Sequence, residues 1–179
     1  MNTIRFIGIQ VKEGKAAPID DTVVKEERFS LFLNGRHFTD LVASANQLEE
    51  LGTGFIVCQG LSKEVKTVEV SGNGIHVQAP VAGAVEKEIE TTGSIGVFRC
   101  PPAKVVSGHS ITIDEVYGIT REIVTDLWRQ TGGVHCSVLF HEGTVVARSS
   151  DVGRHNTVDK VIGHAVLSNI PLGECVIGC

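Results

Sequence analysis

At 179 residues and 42% hydrophobic content, the chain is long enough to bury one substantial core with at most a small satellite. A net charge of -5 and the lack of any basic run exclude nucleic acid as the main partner. No apolar run approaches the length of a membrane span. A single early arginine, Arg5, soon meets Lys12 and Glu13, which is not the pattern of a secretion signal, so a cytoplasmic protein is expected. The five cysteines (Cys58, Cys100, Cys136, Cys175 and Cys179) are an odd number without a secretion signal, which points to free thiols. Cys58 ends the apolar run Gly54-Phe55-Ile56-Val57 and reads as a small buried hydrophobe.

In chain order, residues 4–11 and 22–33 read as strands, rich in β-branched and aromatic side chains. Asn34-Gly35 after the alternating Phe29-Ser30-Leu31-Phe32-Leu33 is a strong hairpin signal. Ser44-Ala45-Asn46-Gln47 has the form of a capping box opening a helix. Leu48, Leu51 and Phe55 give that helix an apolar face, Gly52 and Gly54 weaken it, and Gly60 closes it. Residues 65–70 and 75–79 pair across Ser71-Gly72-Asn73-Gly74, and Glu86, Lys87, Glu88 and Glu90 read as a solvated helix face or a charged connector. Pro101 and Pro102 interrupt regular structure. Thr112-Ile113-Asp114-Glu115 is a second capping box, opening a helix over 114–130 whose stripe of Val116, Ile119, Ile123, Val124 and Leu127 is expected to be core. A hairpin follows over 134–140 and 144–148, then a polar loop over 149–156, a helix over 157–168 and an apolar strand from Cys175, which suggests helices packed on a mixed sheet.

The richest stretch for chemistry flanks that last hairpin. Thr131-Gly132-Gly133-Val134-His135 precedes it, and Asp151-Val152-Gly153-Arg154-His155-Asn156-Thr157-Val158-Asp159-Lys160 follows it. One reading is a helix C-cap at Gly132 and Gly133 and an N-cap at Asn156, with solvated side chains. The other is an anion site. Asn156 would open a helix whose terminal amides suit a phosphate. Gly153 permits close approach, Arg154 offers a bidentate fork, and His155 donates or accepts near neutral pH. Asp151 and Asp159 would then accept from guanine or pterin N–H groups, or orient Arg154.

T-G-G-x-H followed by D-V-G-R-H-N-x-x-D-K resembles the FdhD/NarQ family of formate dehydrogenase accessory proteins. Leu33-Asn34-Gly35-Arg36 resembles the family's N-G-R hairpin, and Leu48-Glu49-Glu50-Leu51 with Gly54-Phe55 resembles its D-L-x-x-L-x-x-G-F segment. The resemblance runs from about Glu26 to Cys179. It implies an α/β fold: a cytidine-deaminase-like three-layer α/β/α sandwich over 111–179, preceded by a smaller β-rich N-terminal region over 1–90 and a linker over 91–110. The family continues past the position of Cys179 with an S/T-G-R motif and further helices and strands, so the sandwich is expected to be truncated.

The resemblance also implies a function. FdhD-like proteins bind the molybdenum bis(molybdopterin guanine dinucleotide) cofactor, or a tungsten equivalent, and GDP-like nucleotides. They relay sulfur to the cofactor from a cysteine desulfurase before its insertion into the formate dehydrogenase catalytic subunit, and they are commonly homodimers. The positions matching family motifs are Thr131, Gly132, Gly133, His135, Asp151, Gly153, Arg154, His155, Asn156, Asp159 and Lys160. The family's C-G-x-C pair falls on Ile95 and Phe98, neither of which can carry sulfur. Cys100, two residues further on, faces the same way on an extended segment, and Arg99 would favour its thiolate, so Cys100 is the candidate relay thiol. It can equally be an ordinary thiol before a proline turn. Two alternatives remain: a cofactor-binding or chaperone relative without the relay, and a zinc deaminase-like hydrolase using His135, Cys175 and Cys179. For the latter, the H-x-E position holds His135-Cys136-Ser137 and the cysteines are spaced C-x-x-x-C, so no metal ligands are assigned.

Overall fold

The computed structural model describes residues 3–81 and 107–179 and, between them, two two-residue strands, Lys87–Glu88 (β7) and Val97–Phe98 (β8), which pair with each other. The chain opens with a ribbon of Thr3–Lys12 (β1) and Lys15–Val24 (β2), joined by Glu13 and Gly14 at φ 51° and 75°. Both central residues have positive φ, as the type I′ turn of a two-residue hairpin requires. The sequence reading found β1 but missed most of β2, whose Pro18, Asp20 and Asp21 resemble a turn, and it ran the end of β2 into the next strand.

Glu27–Leu33 (β3) and Arg36–Ala43 (β4) form the Asn34-Gly35 hairpin as expected. Thr67–Ser71 (β5) and Gly74–Gln78 (β6) complete a sheet of order β4-β3-β6-β5, in which β3 and β6 run parallel. Phe29, Leu31 and Leu33 alternate into its buried face, where Leu48–Cys58 (α1) covers them with Leu51, Phe55 and Ile56. The capping box read at Ser44 does not form: the N-cap is Gln47, in a left-handed conformation, with no side-chain cap bond. The glycines that weaken α1 as a helix are what let it sit where it does. A Cβ on Gly52 would fall on the Ile75 side chain, and one on Gly54 would fall on the Asp159 carbonyl oxygen.

The expected helix over 114–130 is two helices, Ile113–Glu122 (α2) and Asp126–Thr131 (α3). Thr112 closes the predicted capping box on α2. Thr125 starts α3 afresh by accepting from the Trp128 N–H at 3.3 Å, which breaks the chain between them. The expected core stripe is not buried as a whole. Only Ile119 is, whereas Val116 is 43% exposed; Trp128, outside the stripe, is 45% exposed. His135–His141 (β9) and Thr144–Asp151 (β10) form the second hairpin across Glu142 and Gly143, both at positive φ. Arg154–Leu167 (α4) follows, and Cys175–Gly178 (β11) returns antiparallel on the other edge of β9, giving the order β10-β9-β11.

Neighbouring residues of β9 show what lies on each face of that sheet. Cys136 points to Thr125 between α2 and α3, while the Ser137 hydroxyl meets that of Thr157 on α4 at 2.7 Å. On its far side α4 packs against α1, where a Cβ on Gly163 would fall on the Glu50 carbonyl oxygen. The layers therefore run from the four-stranded sheet through α1 and α4 to the three-stranded sheet and then α2 and α3. Among the described residues no helix is long and apolar enough to cross a membrane.

Candidate functional site

The two motifs meet at one end of the three-stranded sheet. β9 begins at His135 and β10 ends at Asp151, and these two residues are partners in the register. Gly132 caps α3 in the left-handed conformation at φ 59°, its N–H donating to the Trp128 carbonyl at 2.8 Å. Thr131 holds the turn: its hydroxyl donates to the Leu127 carbonyl and accepts from the Gly133 N–H. The C-cap reading of this stretch is therefore realised.

At α4 the helix starts earlier than expected. Gly153, not Asn156, is the N-cap, so Arg154, His155 and Asn156 form the first turn. No side chain caps this end and no acidic residue lies in its first turn. Arg154 and His155 in this first turn are exposed, as is His135, and the helix N-terminus carries a partial positive charge. Gly153 is needed for close approach, because a Cβ there would come within 2.6 Å of the Asn156 amide nitrogen.

The other motif residues turn inward. Asp151 and Lys160 are both fully buried and form an ion pair, with Nζ 2.6 Å from Oδ2. The same Oδ2 accepts from the Ser44 N–H, while Oδ1 accepts from the Gly153 N–H and the Asn156 amide. Lys160 donates as well to the Ser44 carbonyl and to Asn46 Oδ1, and Asn156 to the Val42 carbonyl. Burial pulls the Lys160 ammonium below its ordinary range, and the Asp151 carboxylate opposes that pull. With every donor and acceptor of the pair engaged, a buried charge of this kind is tolerated. Ser44 and Asn46, read from the sequence as cap residues, belong to this network.

Asp159 is also buried, and burial pushes its carboxyl up to about 7. Its partner is Cys58, the last residue of α1, which is exposed and not the buried hydrophobe expected. Desolvation and the Asp159 carboxylate push the Cys58 thiol up. Asp151, Asp159, Asn156 and Lys160 thus hold the scaffold, while His135, Arg154 and His155 face solvent. Nothing in the hydrophobic period of α4 separates the two groups.

The three zinc ligands considered from the sequence do not come together. Cys175 pairs with His141, six positions along β9 from His135 and so about 20 Å away. Among the described residues no group of three His, Cys, Asp or Glu side chains is placed to hold a metal ion. Cys100 and Ile95 lie outside the described residues, and Phe98 belongs to β8. A cavity of about 220 Å³ lies at the opposite end of the β9–β10 hairpin, between the Glu142-Gly143 turn and α2.

Fold and site define a mixed α/β protein in which a long helix presents an uncapped N-terminus, flanked by basic side chains, at the end of a sheet. The family model described as the FdhD/NarQ family matches residues 24–179, and the chain belongs to that family. It is 29% identical to Protein FdhD of Methanocaldococcus jannaschii over 161 residues, covering 89% of this chain and 65% of that protein. It is 28% identical to the sulfur carrier protein FdhD of Wolinella succinogenes, covering 88% of this chain and 62% of the relative. The chain thus spans somewhat under two thirds of the length of these relatives. The fold matches, with a TM-score of 0.77 at 23% identity, the crystal structure of a protein assigned as a formate dehydrogenase accessory protein from Desulfotalea psychrophila, over 99% of this chain and 73% of that one.

Proposed function

We propose that this chain is an FdhD-type sulfur carrier serving formate dehydrogenase. Its exposed motif residues would bind the guanine dinucleotide portion of a molybdenum or tungsten bis-guanine-dinucleotide cofactor. The observation that carries the proposal is the uncapped N-terminus of α4 with Arg154, His155 and, across the strand register, His135 all exposed beside it. This donor set fits a phosphate: a helix N-terminus with no side-chain cap, a guanidinium fork and imidazole N–H groups. Gly153, Asn156, Asp151 and Lys160 would be positioning residues, holding that end of α4 against the strand bearing Val42. The helices on both faces of the three-stranded sheet support a cytidine-deaminase-like class for this half.

The cofactor, when bound, supplies the metal centre that receives sulfur. On the protein side the carrier would be Cys100. Its thiolate attacks the terminal sulfur of a cysteine desulfurase persulfide. A new S–S bond forms on Cys100 as the donor's S–S bond breaks, and the electron pair leaves on the desulfurase thiolate. A second reading, a cofactor-binding chaperone without relay, is favoured by one observation: Ile95 and Phe98 stand where the family has its cysteines.

GDP titration by calorimetry tests the site. Arg154→Ala is expected to weaken GDP binding by about 10–100-fold, the worth of a charge-assisted hydrogen bond, with no change in the unfolding midpoint. Unchanged affinity would refute the site. Mass spectrometry after incubation with a cysteine desulfurase and cysteine tests the relay: one added sulfur on Cys100 is expected, absent in Cys100→Ala. GDP binding without persulfide would select the chaperone reading.

A further inference from the structure

The cavity at the Glu142-Gly143 end of the β9–β10 hairpin lies about 20 Å along β9 from the motif residues, and the proposed nucleotide site does not use it. Its floor is apolar: Ile119 from α2, Phe140 from β9 and Val176 from β11. Its rim is acidic. Glu115 comes to it from α2, Glu142 from the hairpin turn and Glu174 from the turn Leu172–Glu174. Against them stands His109, and among the described residues no lysine or arginine lines the cavity. The wall bearing His109 is fixed in place, since the Ser107 hydroxyl donates to the Gly173 carbonyl at 2.7 Å.

Gly118 keeps the cavity open. It lies inside α2, where glycine weakens a helix relative to alanine. No packing within the chain asks for it, because a Cβ there would meet nothing within 4 Å. The glycines at 52, 54, 163 and 178 differ, each having a neighbour that a Cβ would strike. The carboxylates are only partly engaged. Glu115 Oε2 accepts from the Thr112 N–H and hydroxyl, and these bonds hold its carboxyl below the usual range. Glu174 Oε2 has a long contact of 3.4 Å with His141. Glu142 has no side-chain hydrogen bond or ion pair among the described residues.

This combination selects a ligand. An anion is repelled, so the cavity is not a second nucleotide site. A metal ion needs its ligands gathered at about 2.0–2.6 Å from one point. Among the described residues no three His, Cys, Asp or Glu side chains are so gathered. Carboxylates spread around an apolar floor suit a broad cation on an apolar stem. The guanidinium of arginine is planar and weakly hydrated, pairs with carboxylates through a fork, and stacks on aromatic rings, of which Phe140 supplies one. At about 220 Å³ the cavity is smaller than the ~300–1,000 Å³ of small-molecule sites, which suits a single side chain. We infer that this cavity is a socket for an arginine side chain of a partner protein, its stem on the apolar floor and its guanidinium among Glu115, Glu142 and Glu174.

Capped peptides with one central arginine among glycines and serines, titrated into the full chain and followed by amide shifts in NMR spectra, test this. The expected result is saturable shifts at Gly118, Gly143 and Val176 that weaken with added salt. The same peptide with citrulline, which keeps the shape and loses the charge, should bind at least tenfold more weakly. Glu142→Gln together with Glu174→Gln should weaken the arginine peptide to the same degree. Gly118→Leu should abolish binding while leaving the urea-unfolding midpoint at or above that of the parent, because leucine favours the helix. No saturable shift at the cavity overturns the inference, as does equal binding of the citrulline peptide or binding that survives Gly118→Leu. So does free arginine binding as tightly as the peptide, which would make this a small-molecule site.

Discussion

Replacing Asp159 with Asn should make the protein more stable at neutral and mildly alkaline pH, by an amount that vanishes in acid. Asp159 is 6% exposed, and burial raises its carboxyl from an ordinary 3.8 to about 7. Between those two values the folded protein holds a proton that the unfolded chain has released. Stability from this group is therefore fully present below about pH 4 and is lost as the pH rises toward 7 and above, opposite to the usual behaviour of a paired carboxylate. About three pH units at roughly 1.4 kcal/mol each set an upper limit near 4 kcal/mol. Asn keeps the shape and an acceptor for the Cys58 thiol but carries no charge. Urea unfolding of both proteins at pH 4, 5.5 and 8 isolates the group, because every other titration is common to the pair. Asp159→Asn should match the parent at pH 4 and exceed it increasingly by pH 8. A difference independent of pH, or one that favours the parent more as pH rises, would refute the claim that this carboxyl is neutral-prone because it is buried.

Lys160→Met leaves Asp151 buried with three N–H donors and no counter-charge, and should cost about 3–5 kcal/mol in urea unfolding. Adding Asp151→Asn should recover part of that loss by removing the unpaired charge, the remainder being the amide NH2 set against the Ser44 N–H, a coupling read from the double-mutant cycle. Gly163→Ala places a methyl on the Glu50 carbonyl and should lower stability by about 1–3 kcal/mol as α1 and α4 are pushed apart, measured by thermal unfolding.

What could be read from the sequence was what is decided within a few residues. The Asn34-Gly35 and Glu142-Gly143 turns announce themselves because positive φ at two successive positions suits few residues, and Thr112 with Glu115 closes its cap locally. The start of α4 was misplaced because its cap is a glycine with no side chain to signal it. Asn156, the residue that looks like a cap, spends its amide on Val42, far away in the chain. The break between α2 and α3 was written in Thr125-Asp126, but the apolar stripe running through it suggested one helix. The motif from Asp151 to Lys160 was legible as unusual, not as divided. Which of its side chains face inward depends on Ser44 and Asn46, and no local pattern connects those residues to it.

The bonds that hold the site end of α4 span great distances along the chain. Ser44 to Asp151, Asn46 to Lys160 and Val42 to Asn156 are separated by 107, 114 and 114 residues. Contacts of such sequence separation carry a high loop-closure cost and form late. During synthesis, Ser44 and Asn46 must wait until Asp151 and Lys160 have been made before they acquire their partners. Ligand competence should therefore appear only with the final docking of α4 on α1, and a fragment limited to residues 107–179 would carry the motif without the geometry.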